Sequence, residues 1–189
     1  MDVRSYKRNT ILILLLLAVI IFITAWFTYE TVTERQEEAS DAGQAFIGDT
    51  DNPDRYTSIN GATVDVASAI GAQKLYVNSW ASWSPLSQDE LIALNEIAGE
   101  YKDRGIAFIA LNRKEPKEQA ERYLATLPPL SNLQIVIDTE DHFYSRSGGY
   151  AMPETITYDE DGVLVRHERT PLTKDQMRTV IEELLAVPE

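Results

Sequence analysis

The chain has 189 residues, no cysteine, two histidines and a formal net charge of −13. The lack of cysteine excludes thiolate and disulfide chemistry, and the acidic balance argues against a nucleic-acid-binding protein, which needs a basic surface. Neither His142 nor His167 has another ligand-type residue at a metal-binding spacing. We therefore expect both histidines at the surface or in loops, and we expect neither a metal nor a cofactor.

An apolar segment lies near the N-terminus. Residues 11–29 read ILILLLLAVIIFITAWFTY, an uncharged run long enough to cross a bilayer as a helix. This run exceeds the usual apolar region of a signal peptide, and no clean cleavage site follows it, so an uncleaved signal anchor is favoured over cleavage. Basic residues in segment 1–10 predict a cytoplasmic N-terminus. The rest of the chain is then extracytoplasmic, either periplasmic or on the outer face of a single-pass membrane protein.

The chain beyond the first ten residues carries a net charge of −15. Residues 30–55 are polar and acidic and show no sustained apolar period, which predicts a tether. Residues 56–189 have globular patterning and are long enough to bury a core. The predicted organisation is therefore a cytoplasmic N-terminus, an anchor, an acidic tether and one folded domain.

The folded part alternates strand and helix patterns before it ends in a hairpin and a helix. This order predicts an α/β fold, a three-layer α/β/α sandwich with parallel crossovers and added antiparallel strands in one mixed sheet. The predicted elements are a hairpin within Tyr56–Val64, a short helix at Val66–Ile70, a strand at Lys74–Trp80, a helix at Gln88–Asp103, a strand at Ile106–Leu111, a helix at Pro116–Thr126, a strand at Leu133–Ile137, a helical turn at Asp141–Arg146, strands at Glu154–Tyr158 and Val163–Glu168, and a helix at Thr173–Ala186.

The segment WASWSPLS, residues 80–87, joins the first long strand to a helix. Ser84 followed by Pro85 is typical of a helix N-cap with proline in the first turn. Ser87 with Glu90 is alternatively a capping box of the form S-x-x-E. A serine nucleophile needs a nearby base, and no histidine stands at a spacing that predicts one, so we expect no catalytic residue here.

Three segments, in this order, carry a family resemblance: KLYVNSWASWSPLS, YAMPETITYDEDGVLVRH and TPLTKDQMRTVIEELL. They resemble the redox turn, the proline loop with its hairpin, and the terminal helix of thioredoxin-like domains. The resemblance is to the redoxin-type, membrane-anchored extracytoplasmic thiol–disulfide oxidoreductases of the TlpA/ResA type. It spans residues 56–187 and implies a thioredoxin-like fold.

The resemblance also implies roles for particular residues. Ser84 and Ser87 stand where the family has its two cysteines, so the family's thiol exchange is excluded at this site. The Met152–Pro153 bond matches the family's cis-proline loop, and Glu90 matches an acidic position that handles protons, although we favour the capping interpretation. Trp80 is expected in the core. We predict a binding groove lined by Trp83, Ser84, Pro85, Met152 and Pro153.

Together these observations predict a membrane-tethered, redox-inactive thioredoxin-like domain that acts as a protein-binding or assembly module. Its partner would be an extracytoplasmic protein or peptide, with a thiol-containing redox protein as one candidate. An accessory role in thiol–disulfide exchange, or in cytochrome or envelope protein maturation, is one alternative. A structural acidic spacer in a membrane complex is the other.

Overall fold

A computed structural model describes residues 19–26, 55–65 and 73–188. By its contacts the chain divides into two compact units, residues 1–38 and 39–189. The predicted N-terminal segment 1–10, most of the predicted tether and the predicted helix at 66–70 lie outside the described residues.

The first unit is described only over residues 19–26, which are helical. The Thr24 hydroxyl donates to the carbonyls of Ile20 and Ile21 at 3.0 and 2.9 Å. Across the three described ranges, no helix combines the length and apolar content needed to span a bilayer. Most of the predicted anchor, 11–29, falls outside those ranges, so the anchor stays a prediction.

The second unit contains seven strands and four helices in its described residues, and their order matches the prediction. The strands are β1 (Arg55–Ser58), β2 (Thr63–Asp65), β3 (Lys74–Trp80), β4 (Ile106–Arg113), β5 (Gln134–Asp138), β6 (Glu154–Tyr158) and β7 (Leu164–Glu168). The helices, numbered here within this unit, are α1 (Ser87–Glu100), α2 (Lys117–Leu124), α3 (His142–Arg146) and α4 (Lys174–Ala186).

All seven strands form one mixed sheet in the order β2-β1-β5-β4-β3-β6-β7. The parallel pairs β3–β4 and β4–β5 follow from the helical crossovers, as predicted. β6 and β7 add antiparallel strands beside β3, which confirms the predicted hairpin. The N-terminal hairpin joins the opposite side, because β1 pairs antiparallel with β5.

Apolar side chains pack on both faces of the sheet. One face packs against α1, α2 and α4, and its core includes Trp80, which stacks on Tyr123 with ring centroids 5.6 Å apart. The other face packs against α3 through the buried Phe143. β3 lies at the centre and is buried along its whole length, as expected for a strand covered on both sides.

The sheet topology brings several loops to one end of the sheet, called an edge in this paragraph. β3 runs parallel to β4, so Trp80 and Arg113, the last residues of these strands, lie at the same edge. β6 runs antiparallel to β3 with Ser79 opposite Glu154, so the segment before β6 reaches this edge too. The residues that follow β7 return there as well. This edge carries all the predicted site residues.

Candidate functional site

The turn after β3 consists of two overlapping backbone turns. The Ser84 amide donates to the Ala81 carbonyl at 3.1 Å, and the Ser87 amide donates to the Ser84 carbonyl at 3.2 Å. α1 therefore begins at Ser87, and Leu86 holds the N-cap position without any side-chain cap. Both predicted capping arrangements were wrong, because the second turn moves the helix start beyond Ser84 and makes Ser87 itself the first helical residue.

The two serines instead form other contacts. The Ser84 hydroxyl donates to the Met152 carbonyl at 3.4 Å, and the Ser87 hydroxyl accepts from the Ala81 amide at 3.4 Å. Ser84 is 3% exposed and Ser87 is fully buried. The partner of the Ser84 hydroxyl is a carbonyl oxygen, which is not a general base. The serines therefore hold the turn against its surroundings.

A buried carboxylate that the sequence did not reveal supports this turn from behind. Glu115 Oε2 accepts from the Ser82 amide at 2.8 Å and from Asn112 Nδ2 at 2.7 Å. Its Oε1 accepts from the Ser82 hydroxyl and from Gln119 Nε2, both at 2.5 Å. Charge-assisted bonds of this kind are the strong ones in proteins. Glu115 therefore fixes the turn onto the segment between β4 and α2.

Glu90 is a buried acid, and its predicted capping role was wrong. Its Oε1 accepts from the Leu172 amide at 3.2 Å, across the domain from its own helix. Burial raises the pKa of Glu90 to about 7, and the hydrogen bond from the Leu172 amide offsets part of the increase. Asn78 Oδ1 and Glu90 Oε2 both lack a donor among the described residues, and protonation of Glu90 supplies one.

The loop before β6 carries the predicted proline. The Met152–Pro153 peptide bond is cis, as the resemblance implied. Pro153 is buried and Met152 is half-buried. The Ser84–Met152 hydrogen bond joins this loop to the turn, so the structure brings the two halves of the predicted groove together.

A second buried carboxylate holds the proline loop. Glu154 Oε1 accepts from the amides of Tyr150 and Ala151 at 2.8 and 2.5 Å. Its Oε2 lies 2.8 Å from His167 Nε2. The His167 side chain is only 5% exposed, so its predicted surface position was wrong: the register of β6 and β7 sets it diagonally across from Glu154. His142 is exposed, as predicted.

The proline loop is also held by Tyr144. The Tyr144 hydroxyl donates to the Ala151 carbonyl. The Arg113 guanidinium lies 3.5 Å from the centroid of the Tyr144 ring and pairs with Asp141 at 2.7 and 3.0 Å. Burial raises the pKa of Tyr144, and the charge of Glu154 acts in the same direction. Both backbone polar groups of Ala151 are thus bound from inside the domain.

The predicted groove residues differ in exposure. Trp83 and Pro85 are exposed, with Trp83 58% exposed, whereas Ser84 and Pro153 are buried beneath them. Two further exposed apolar side chains, Leu86 and Tyr150, flank the groove, and neither was among the predicted groove residues. The buried residues join the two walls, and the exposed ones form the surface that a partner can contact.

Comparison with known structures defines the class of fold. A thiol:disulfide interchange protein DsbE from Chlorobium tepidum superposes with a TM-score of 0.63 at 20% identity, over 71% of this chain and 94% of that one. An exposed lipoprotein thioredoxin from Streptococcus pneumoniae gives 0.63 at 21% identity, over 70% of this chain and all of that one. The fold is therefore thioredoxin-like.

Sequence comparison then gives the family. Residues 39–185 match the Redoxin family model, and the chain belongs to that family, as a thioredoxin-like protein of the TlpA/ResA type. A thiol-disulfide oxidoreductase ResA from Bacillus thuringiensis subsp. konkukian is 23% identical over 94% of this chain and 98% of its own length. Another ResA, from Geobacillus thermodenitrificans, is 27% identical over 58% of this chain. This chain has no cysteine.

Proposed function

We propose that this protein is a membrane-tethered, extracytoplasmic thioredoxin-like module that has no redox activity and binds a protein or peptide at the groove. The observation that carries the proposal is the Ser84–Met152 hydrogen bond. It joins the turn to the cis-proline loop in a chain without a single cysteine. The walls of the groove are kept, while the family's reactive atoms are absent.

The redox part of the proposal rests on chemistry. Thiol–disulfide exchange needs a thiolate to attack a disulfide sulfur and a second thiol to resolve the mixed disulfide. A serine hydroxyl forms neither bond. Both serines are also buried and already bonded within the domain, at positions that pack the turn against its neighbours.

The tether part rests on the uncharged segment 11–29 and the basic residues before it. Protease added to intact cells or right-side-out vesicles should digest the folded domain and leave the N-terminus protected. Digestion of an N-terminal epitope tag, with the C-terminal domain protected, would show that the orientation is the opposite of the proposed one. Release of the whole chain by salt washing would contradict the anchor.

The binding part rests on the exposed side chains of the two walls. Trp83, Leu86 and Tyr150 present apolar surface on the two walls of the groove, and exposed apolar surface of this kind is typical of protein-interaction sites. A photocrosslinker placed at position 83 of the full-length protein in its native membrane should trap a discrete partner. Trp83→Ala with Leu86→Ala should abolish co-purification of that partner.

Val163 provides the matched control, since it is an exposed apolar residue in the turn between β6 and β7, at the other end of those strands. A crosslinker at position 163 should not trap the same partner, and Val163→Ala should leave its co-purification unchanged. Equal trapping at positions 83 and 163 would contradict binding at the groove.

Two other functions remain as alternatives, and the identity of the crosslinked partner and the effect of the variants distinguish them. An accessory role in thiol–disulfide exchange, or in cytochrome or envelope protein maturation, is suggested by relatives named as thiol-disulfide oxidoreductases. It requires the trapped partner to carry reactive cysteines. A structural spacer instead requires that groove substitutions be silent while deletion of residues 11–29 is not.

A further inference from the structure

Arg169, directly after β7, stands out among the basic residues of the domain. Residues 56–189 contain 21 acidic and 12 basic side chains, so carboxylate partners for arginine are abundant. Arg113 pairs with Asp141, and Arg166 pairs with Glu168 and Glu183. Arg169 Nε and Nη2 are buried and have no acceptor among the described residues.

Two carboxylates near the end of β7 are bonded to other groups. Glu168, the residue before Arg169, accepts from Arg166 at 2.5 Å. Glu154 accepts from two loop amides and pairs with His167. Buried guanidinium donors without an acceptor are costly, because they lose their hydrogen bonds to water and gain none in return. An arginine kept in this state within an acidic domain therefore indicates an acceptor supplied from outside.

The position of Arg169 places it at the groove. Its guanidinium carbon lies 4.9 Å from the centroid of the Tyr150 ring, in a cation–π contact. Tyr150 is 58% exposed and lies two residues before Met152. Exposed side chains change rotamer within nanoseconds, so rotation of the Tyr150 ring uncovers the guanidinium at the side of the proline loop.

We propose that Arg169 is a carboxylate-binding site of the groove and that it selects partners with an aspartate or glutamate side chain beside an apolar residue. The inference rests on the proposed binding function and adds the chemical class of the partner. An extended segment that lies along the proline loop passes beside Arg169. A side chain that branches from this segment then reaches the guanidinium, which binds carboxylates through two parallel hydrogen bonds.

The test uses the full-length protein, labelled with nitrogen-15, in detergent micelles. The probes are three peptides: Ac-Ala-Leu-Glu-Ala-NH2, its glutamine counterpart, and Ac-Ala-Leu-Ala with a free C-terminal carboxylate. The glutamate peptide should bind about tenfold more tightly than the glutamine peptide, which corresponds to about 1.4 kcal/mol. It should also shift the Arg169 Nε–Hε resonance, which the glutamine peptide should leave in place.

Three variants assign the preference to Arg169. Arg169→Gln should bind both amidated peptides equally, whereas Arg166→Gln, a matched charge change within β7, should keep the tenfold preference. Arg169→Lys should retain part of the preference, because a point charge replaces the planar fork. Circular dichroism of each variant should show that the fold is retained.

The outcomes separate this inference from the proposed function. Equal binding of the glutamate and glutamine peptides, with the Arg169 resonance unmoved, overturns the carboxylate site and leaves groove binding standing. Tightest binding of the peptide with the free C-terminus overturns the assignment to a side-chain carboxylate. Binding of none of the peptides at millimolar concentration, with no shift at Trp83 or Arg169, contradicts both the site and the proposed function.

Discussion

Replacement of Glu90 by glutamine should stabilise the protein at high pH and have little effect at low pH. Burial raises the pKa of Glu90 from its ordinary value of 4.5 to about 7. The native state therefore binds this proton more tightly than the unfolded state. The stabilisation is complete below pH 4.5, declines as the pH rises, and is fully lost above about pH 7.

The magnitude follows from the displacement of the pKa. One pH unit corresponds to about 1.4 kcal/mol, so the displacement from 4.5 to about 7 amounts to about 3 kcal/mol. Glutamine has nearly the shape of the protonated acid. Its carbonyl can accept from the Leu172 amide, and its amino group can donate toward Asn78 Oδ1.

The assay is denaturant unfolding of the full-length chain at pH 4, 5, 6, 7 and 8, followed by tryptophan fluorescence. The difference in unfolding free energy between Glu90→Gln and the parent should be near zero at pH 4 and reach about 2–3 kcal/mol in favour of the variant at pH 8. Glu118→Gln, on an exposed helical position, is the control and should show no such trend. A pH-independent difference for Glu90→Gln would show that protonation of Glu90 does not contribute to the stability of the fold.

Three further substitutions test the supports of the groove. Glu115→Gln should destabilise the protein by about 2–3 kcal/mol, measured by urea unfolding, because a side-chain amide cannot accept all the donors that surround the carboxylate; a loss below about 0.5 kcal/mol would show that the turn does not depend on it. Gly149→Ala should cost about 1–3 kcal/mol in the same assay, since its new Cβ would lie 2.7 Å from the Tyr144 ring, and an unchanged midpoint would contradict this packing. Glu154→Gln should speed amide hydrogen exchange in the loop before it, because a neutral amide oxygen holds the two loop amides more weakly than a carboxylate does, and unaltered exchange there would remove Glu154 as the support of the loop.

Much of the fold could be predicted from the sequence because its elements are marked locally. β3 and β4 are short apolar runs that end at polar or turn residues, and α4 begins with a capping box formed by Thr173 and Gln176. The pairing of β1 with β5 was not predicted, because no local pattern specifies which sheet edge an N-terminal hairpin joins.

The site was predicted less completely because its supports depend on tertiary contacts. Glu115 reaches a turn 33 residues before it, across the β3–β4 pair. His167 meets Glu154 only through the register of the hairpin, and no sequence spacing between them is typical of a pair. The capping error has a local cause, since the turns closed at Ser84 and Ser87 place the start of α1 at Ser87, beyond Ser84 and Pro85 and one residue before the predicted Gln88.

Ser84 and Ser87 mark a chemical difference between this chain and its named relatives. Family relatives are named as thiol-disulfide oxidoreductases, whereas here Ser84 supports the proline loop and Ser87 supports the turn. The turn between them still has the backbone hydrogen bond that closes a four-residue segment at a helix start. The backbone of positions 84–87 therefore forms a closed turn in a chain that has no thiols.

The proposed absence of redox activity can be tested with a disulfide-reductase assay of the parent protein beside the double variant Ser84→Cys/Ser87→Cys. With an external reductant and a disulfide-bonded protein substrate, the parent should show no turnover above buffer, because no atom in the chain can form a mixed disulfide. The double variant should show turnover well above buffer, because the turn that carries positions 84 and 87 already lies against the proline loop. Turnover by the parent, or an inert double variant that is correctly folded, would contradict a redox scaffold that lacks only its thiols.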